Sequence, residues 1–352
     1  MPNFGGGSIY QYLLAKELFN EGIEVVFPNK LNRGTFLFPI SRNVLQLKIR
    51  LIHMHWVEGY SGFSSKNKIS SVVKFLIFII DIYIVKYLLK AKIVWTIHNL
   101  YSHECLYRKI EKLGRKSFSK KVDAIICHCK YAKKEFIKEF GALENKIHLI
   151  KHGNFNCYEN QISRERARKN LNFESNDFIF LIFGSIRPYK GTLNLIESIK
   201  KINRNIKLLI VGKPINNQIN RDIINRIENS PNISFISNFI TEDQIQVYFK
   251  ASDVIVYPFK KILTSGGIFL AMSFGKPIIA PRLGCIPETL NDKGAFLYNS
   301  HEENGLLLAL ESALDNKSKL EEMGQYNFKL TTEYNWKDIA KETKKIYDRI
   351  SR

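Results

Sequence analysis

Two short segments of the chain carry residues suited to holding an anion. In Phe180–Gly191 (FLIFGSIRPYKG) an apolar run gives way to Gly184, and Arg187 and Lys190 follow before a helix begins near Gly191. A strand, a glycine turn and a helix together aim backbone N–H groups and a helix N-terminus at negative charge. Two cations this closely spaced suit a diphosphate better than a single carboxylate. The alternative is an ordinary strand-to-helix connection with solvated cations. In Lys261–Gly267 (KILTSGG) Thr264 and Ser265 offer hydroxyls and N-cap chemistry, while Gly266 and Gly267 let a ligand approach the backbone. An N-cap in front of a core helix is the plainer reading of the same residues.

Metal chemistry is poorly supported. Cys127-His128-Cys129 is the one dense cluster of metal-type ligands, and no second pair of the kind tetrahedral sites need follows it. Its thiols read as buried strand cysteines. In His53-Met54-His55-Trp56 both imidazoles share one strand face, too few ligands for a metal on their own. No Asp-x-Asp motif is present.

The elements that must position these residues alternate between strand and helix. A helix with Tyr10, Leu13, Leu14 and Leu18 on one side leads to a predicted strand IEVVF (23–27), then to strands in LKIRLIHMH, KIVWTIH, DAIICHC and KIHLIKH. The polar segment Asn154–Asn176, with its helical run RERARKNL, reads as a linker into a second domain. Beyond it the strands FIFLIF, IKLLIVG, NISFI, VIVYP and PIIAP are separated by amphipathic helices, which predicts a doubly wound parallel sheet. The fold expected is α/β: two Rossmann-like doubly wound domains facing a cleft. Residues 1–156 form the first and 157–335 the second, with a last helix over 336–352 packing back on the first.

The order GSIRPYKG, LLIVG, SNFITEDQIQVYFKASDVIVYP and TSGGIFLAMSFGKPIIAPRLGCIPE resembles the donor-binding half of GT-B glycosyltransferases, from about Phe180 to Tyr298. It looks like the nucleotide-sugar-dependent transferases, glycosyl transferases group 1 in type, that build capsular polysaccharides and exopolysaccharides. In the first half WTIHNLYSHE and IKHG resemble a subgroup with an HN…HE signature in the acceptor domain. The resemblance implies that Gly184, Arg187 and Lys190 bind the donor diphosphate and that Thr264, Ser265, Gly266 and Gly267 cradle it. It places Glu288 near the nucleotide or the domain interface.

Three departures from the family pattern stand out. The Gly-Arg of the first donor loop is Gly184-Ser185 here, with the arginine displaced to Arg187. The paired glutamates of retaining members fall at Ile262 and Leu270, which tilts the expectation towards inversion. The family opens on a strand ahead of its first glycine loop, whereas FGGGS begins at Phe4.

Transfer to an acceptor requires a group that removes the hydroxyl proton and cations or N–H groups that stabilise the leaving diphosphate. Glu104 is the leading base candidate and His98 the next, with hydrogen bonding to donor phosphate or sugar as the other role open to His98. Asn99, His103, His55 and His152 are expected to line the acceptor side or the cleft, with Trp56 packing or stacking on a sugar. The donor is expected to be UDP- or GDP-linked, with no metal and no further cofactor.

The formal charge of +20, from 53 Lys and Arg against 33 Asp and Glu, favours anionic partners. Leu106–Lys121 alone holds seven Lys and Arg against one Glu. The apolar segment Val72–Leu89 is interrupted by Lys74, Asp81 and Lys86, so it falls short of a spanning helix. It reads as a buried helix of the first domain or as one lying in the membrane interface. With the basic segment it could seat the domain on anionic lipid, beside a lipid-linked saccharide acceptor. Five cysteines without framework spacing and no signal-peptide pattern after Met1 give an expected cytoplasmic location, peripheral on the inner face of the plasma membrane. Rival readings are a sugar-nucleotide epimerase of the same fold, a non-catalytic nucleotide-sugar-binding protein and, on charge alone, a nucleic-acid binder.

Overall fold

A computed structural model describes residues 8–27, 37–62, 67–103 and 105–352. Phe4–Gly7 and Glu104, both singled out above, lie outside the described residues. The chain forms two compact units, one of Met1–Gly153 with Asn335–Arg352 and one of Asn154–Tyr334.

The first unit begins with α1 (Ile9–Asn20), whose Tyr10, Leu13, Leu14 and Leu18 are buried at helical spacing. After α2 (Pro39–Leu47) come β1 (Leu51–Met54), the short α3 (Glu58–Ser61), and α4 (Lys68–Tyr83), which runs into a π-helical turn at Ile84–Leu88. Then follow β2 (Lys92–Ile97), α5 (Arg108–Lys121), β3 (Ala124–Cys127), α6 (Lys130–Phe140) and β4 (Ile147–Leu149). The four strands are parallel in the order β1-β2-β3-β4. Parallel neighbours joined by right-handed crossovers put α4 and α5 on one face of the sheet, and Phe78 of α4 meets Phe118 of α5 at 5.3 Å between ring centroids.

Two expectations change here. Ile23–Phe27 joins no sheet, because β1 forms the edge and pairs only with β2 among the described residues. A short apolar run makes a strand only where a partner accepts its backbone hydrogen bonds. The Val72–Leu89 segment is not a buried helix either. In α4 the buried residues are Ser71, Phe78, Asp81 and Ile82, a single face. The charges that interrupt its sequence are structural. The Asp81 carboxylate accepts the Ile40 and Ser41 N–H groups at 2.7 and 2.8 Å, capping α2, whose own N-cap residue makes no side-chain cap bond. Lys86 pairs with Asp123.

The second unit starts with α7 (Arg164–Asn170) and continues β5 (Ile179–Phe183), α8 (Thr192–Lys200), β6 (Lys207–Val211), α9 (Asn217–Ile227), β7 (Ile233–Ile236) and α10 (Glu242–Ala251). It ends with β8 (Val254–Val256), α11 (Gly266–Ser273), β9 (Ile278–Pro281), α12 (Ile286–Thr289), β10 (Ala295–Tyr298), α13 (Gly305–Asp315) and α14 (Leu320–Leu330). All six strands are parallel in the order β10-β9-β8-β5-β6-β7. β10, from Ala295-Phe296-Leu297-Tyr298, is an addition to the five expected strands. The order reverses between β5 and β8, the switch point beyond which such sheets hold ligands.

The segment expected to be a linker is built into this unit. Asn154 N–H donates to the Tyr334 carbonyl (2.8 Å) and Phe155 N–H to Ser273 Oγ (2.9 Å). Arg168 of α7 is buried, bonded to the Ala251 and Ser175 carbonyls and paired with Asp253. The last helix, α15 (Trp336–Ser351), returns to the first unit, where it packs on α1.

Candidate active site

The two anion-type loops follow β5 and β8, the neighbouring strands at the switch point of the second unit. Gly184 turns the chain out of β5 with φ +100°. The loop stays tied to β6 and its continuation: Gly184 N–H donates to the Val211 carbonyl and Ile186 N–H to that of Lys213, both at 2.9 Å. A single turn, Pro188–Lys190, leads into α8 through Gly191. Glycine is demanded there twice. Its φ is +74°, and a Cβ would sit 2.0 Å from the Pro258 carbonyl oxygen. The Lys190 ammonium folds back to 3.1 Å from where a Cβ on Gly184 would stand. Burial, and then the like charge of Arg187, lowers the Lys190 pKa to about 8. A cation held down in this way gains from a nearby anion.

The second loop meets the first. Lys260 N–H donates to the Tyr189 carbonyl at 2.8 Å, and the Tyr189 and Phe259 rings are near parallel with centroids 6.4 Å apart. Ser265 occupies the N-cap position of α11 but makes no side-chain cap bond, so the N-cap role expected of it is not filled. Thr264, Ser265, Gly266 and Gly267 are all partly accessible at this helix start. Gly267 packs on Tyr257: a Cβ would lie 2.9 Å from the ring Cζ and from its hydroxyl oxygen. Glu288 is exposed on α12, after β9, one strand further out. Two residues went unnoticed in the sequence. The Tyr257 hydroxyl and Thr192 Oγ1, at the end of β8 and the start of α8, are buried without a hydrogen-bond partner. VIVYP gives no signal beyond a strand end, and a threonine after glycine reads as a helix start.

In the first unit the strand ends converge on a cluster of histidines. His53 lies within β1 and His55 just beyond it, and His98 leaves β2. His128 leaves β3, and His152 follows β4. The His53 and His55 rings stack at 4.3 Å, and His55 Nδ1 lies 3.0 Å from His98 Nε2. His98 and His128, and His128 and His152, each have centroids 5.2 Å apart. The ring of Tyr10 meets His98, His152 and Trp336 edge-on, each at 4.9 Å. Trp56 stacks on His98 at 4.5 Å with 14° between the planes, so one of its faces is taken by an imidazole. His98, His55 and His152 are thus brought together, whereas His103 stands exposed in the next loop. Neither Tyr10 nor Trp336 was anticipated as a partner of these rings.

Burial keeps the cluster uncharged. It lowers His53 and His152 to about 3 and His128 to about 4, and holds His55 and His98 well below the usual imidazole value. Neighbouring imidazoles add to the effect at His55 and His98. His55 Nε2 and His128 Nε2 are buried with no hydrogen-bond partner in the protein. Among the described residues no group of three or more His, Cys, Asp or Glu is arranged to hold a metal. Cys127 is a buried thiol pushed up to about 12 by burial, and Cys129 Sγ accepts the Ala132 N–H at the start of α6.

The loop after His98 is pinned from α5. Glu111 accepts the Ser102 N–H and hydroxyl, both at 2.7 Å. Arg115 donates to the Asn99 carbonyl at 3.4 Å and pairs with Glu111 (2.8 Å) and Glu58 (2.5 Å). Arg115 and Glu111 are both buried, so the basic segment 106–121 is not wholly a solvated face.

Two family models match side by side: Glycosyltransferase Family 4 over residues 4–153 and Glycosyl transferases group 1 over residues 163–330. Sucrose-phosphate synthase from Thermosynechococcus elongatus has the same fold, with a TM-score of 0.76 over 99% of this chain and 94% of that one at 17% identity. The chain belongs to the GT-B glycosyltransferases. Another GT-B neighbour is Anabaena HepE in complex with UDP and glucose, with a TM-score of 0.75 over 98% of this chain and 96% of that one at 16% identity. An uncharacterized glycosyltransferase of Methanocaldococcus jannaschii is 23% identical over 89% of this chain and 80% of its own length. A GDP-mannose:glycolipid 4-beta-D-mannosyltransferase of Xanthomonas campestris is 29% identical, over 36% of this chain and 38% of that enzyme.

Proposed function

We propose that this glycosyltransferase moves a sugar from a UDP- or GDP-linked donor to a lipid-linked saccharide during surface polysaccharide biosynthesis. The observation that carries the reading is the joined pair of loops at the β5/β8 switch point, with Lys190 lowered to about 8 beside Arg187 and an uncapped helix start opposite. In this reading Arg187, Lys190 and the N–H groups of Thr264–Gly267 neutralise the charge that grows on the diphosphate as the glycosidic bond breaks. Cations and N–H groups suffice for that task, so the proposed reaction uses no metal and no further cofactor. Glu288 contacts the nucleotide.

Glu104 takes the proton from the acceptor hydroxyl. An imidazole held far below its ordinary pKa is a weak base, which favours His98 as a neutral hydrogen-bonding group for the donor, with Asn99 and His103 on the acceptor side. Ile262 and Leu270 in place of paired glutamates support inversion by direct displacement. The UDP-bound neighbour and the glycolipid mannosyltransferase among the relatives support the donor and acceptor classes. The enzyme works at the inner face of the plasma membrane.

Incubation with a panel of UDP-, GDP- and dTDP-sugars and membrane lipid extract tests this reading. One nucleotide sugar should raise the thermal transition and release its nucleoside diphosphate only when the extract is present. A panel in which none stabilises the protein at millimolar concentration contradicts it.

A further inference from the structure

Among the described residues of the first unit, the outer side of α4 is a surface poorly suited to water. Ile69, Val73, Leu76, Ile80, Tyr83 and Tyr87 recur at alternating spacings of four and three, and all are exposed, Leu76 at 53% and Ile80 at 49%. This spacing lays them along one line, on the side opposite the buried Phe78, and the π-helical turn extends that line to Tyr87. Scattered exposed apolar residues are ordinary, but a continuous stripe along a whole helix marks a surface that is covered in use.

The neighbouring helix supplies the charge. On α5 and the residues just before it, Leu106, Lys109, Leu113, Lys116 and Lys120 follow the same spacing and are exposed, Leu113 at 64%. They lie opposite Phe118, the ring that packs towards Phe78. The only acidic residue of α5, Glu111, is buried against Arg115. Since α4 and α5 cover the same face of the sheet, an apolar stripe and a stripe of mixed Leu and Lys look outwards together.

We infer that this face lies on an anionic bilayer, with the α4 stripe at the boundary of headgroups and acyl chains and Lys109, Lys116 and Lys120 among the headgroups. The charge pattern selects lipid over a second copy of the chain, because a symmetric contact would bring like-charged lysines face to face. The inference rests on the proposed lipid-linked acceptor and names the surface that brings the enzyme to it.

Flotation of the full chain with vesicles tests the assignment. Vesicles of equal phosphatidylglycerol and phosphatidylcholine should carry the protein, and vesicles of phosphatidylcholine alone should carry at least tenfold less. Leu76→Asp with Ile80→Asp should lower binding at least tenfold while leaving the thermal transition and nucleotide-sugar binding unchanged. Lys109→Glu, Lys116→Glu and Lys120→Glu combined should lower it comparably and remove its sensitivity to added salt. Equal binding of wild type and the α4 variant overturns the inference. So does a wild-type dimer that the α4 variant converts to monomer without any vesicle binding. Loss of nucleotide-sugar binding in the wild type would instead count against the transferase reading.

Discussion

The loops after β5 and β8 and the histidines of the first unit treat polar groups in opposite ways. The loops are built from backbone. Gly184, Gly191 and Gly267 bring chain segments close together, and Lys190 is held beside Arg187 with its charge only partly relieved. The histidine cluster is built from side chains arriving from four strand ends, packed on Tyr10 and Trp336 and kept neutral by burial. In the first, a buried lysine held below its usual pKa gains when an anion arrives. The second holds shape and orientation and loses when any proton arrives. In the proposed reaction the loops would serve the leaving group, and the histidines would supply hydrogen-bonding atoms that do not change charge.

The comparison is most exposed at the pins that hold each region. Arg115→Met leaves the Glu111 carboxylate buried without its partner, which should cost about 3–5 kcal/mol of unfolding free energy in urea titration. A cost under ~1 kcal/mol would mean that the loop after His98 is held by something else. On the other side, Gly191→Ala puts a side chain in the left-handed region and against the Pro258 carbonyl, for a loss of about 3 kcal/mol with weaker diphosphate binding. An unchanged affinity would separate the loop geometry from anion binding.

The most gradual effect, and the smallest within any one pH unit, comes from acid. His53, His128 and His152 have folded-state pKa values of about 3, 4 and 3. They lie below the unfolded value of about 6.5, so the unfolded chain binds more protons across that interval. Stability should be flat above pH 7 and fall as the pH drops below 6.5, each histidine adding up to ~1.4 kcal/mol per pH unit. His152→Gln should flatten the slope, and an unchanged slope would place the proton uptake elsewhere.

How much was legible in the sequence divides along the same line. The loops could be read because their chemistry is local: Gly184, Arg187 and Lys190 lie within one turn, and Thr264–Gly267 begin one helix. Their pairing across β5 and β8 follows from the strand order of a doubly wound sheet. The histidines could be nominated one by one but not assembled. Tyr10 and Trp336 come from opposite ends of the chain, and nothing in IYQYLLAKELF or NWKDIAKE marks either ring as a partner for imidazoles. Nor could the pattern show that Arg115 and Glu111 are buried inside a basic segment. The apolar run misled at Ile23–Phe27, since apolar composition does not supply a partner strand. In α4 a mostly apolar composition hid which face the sheet would take.

The central claim is that the β5 and β8 loops bind the donor diphosphate, and calorimetric titration of UDP and GDP tests it most directly. Wild type should bind one of the two, and Lys190→Met combined with Arg187→Met should weaken that binding at least thirtyfold with the thermal transition intact. Equal affinity in wild type and the double variant would contradict the account.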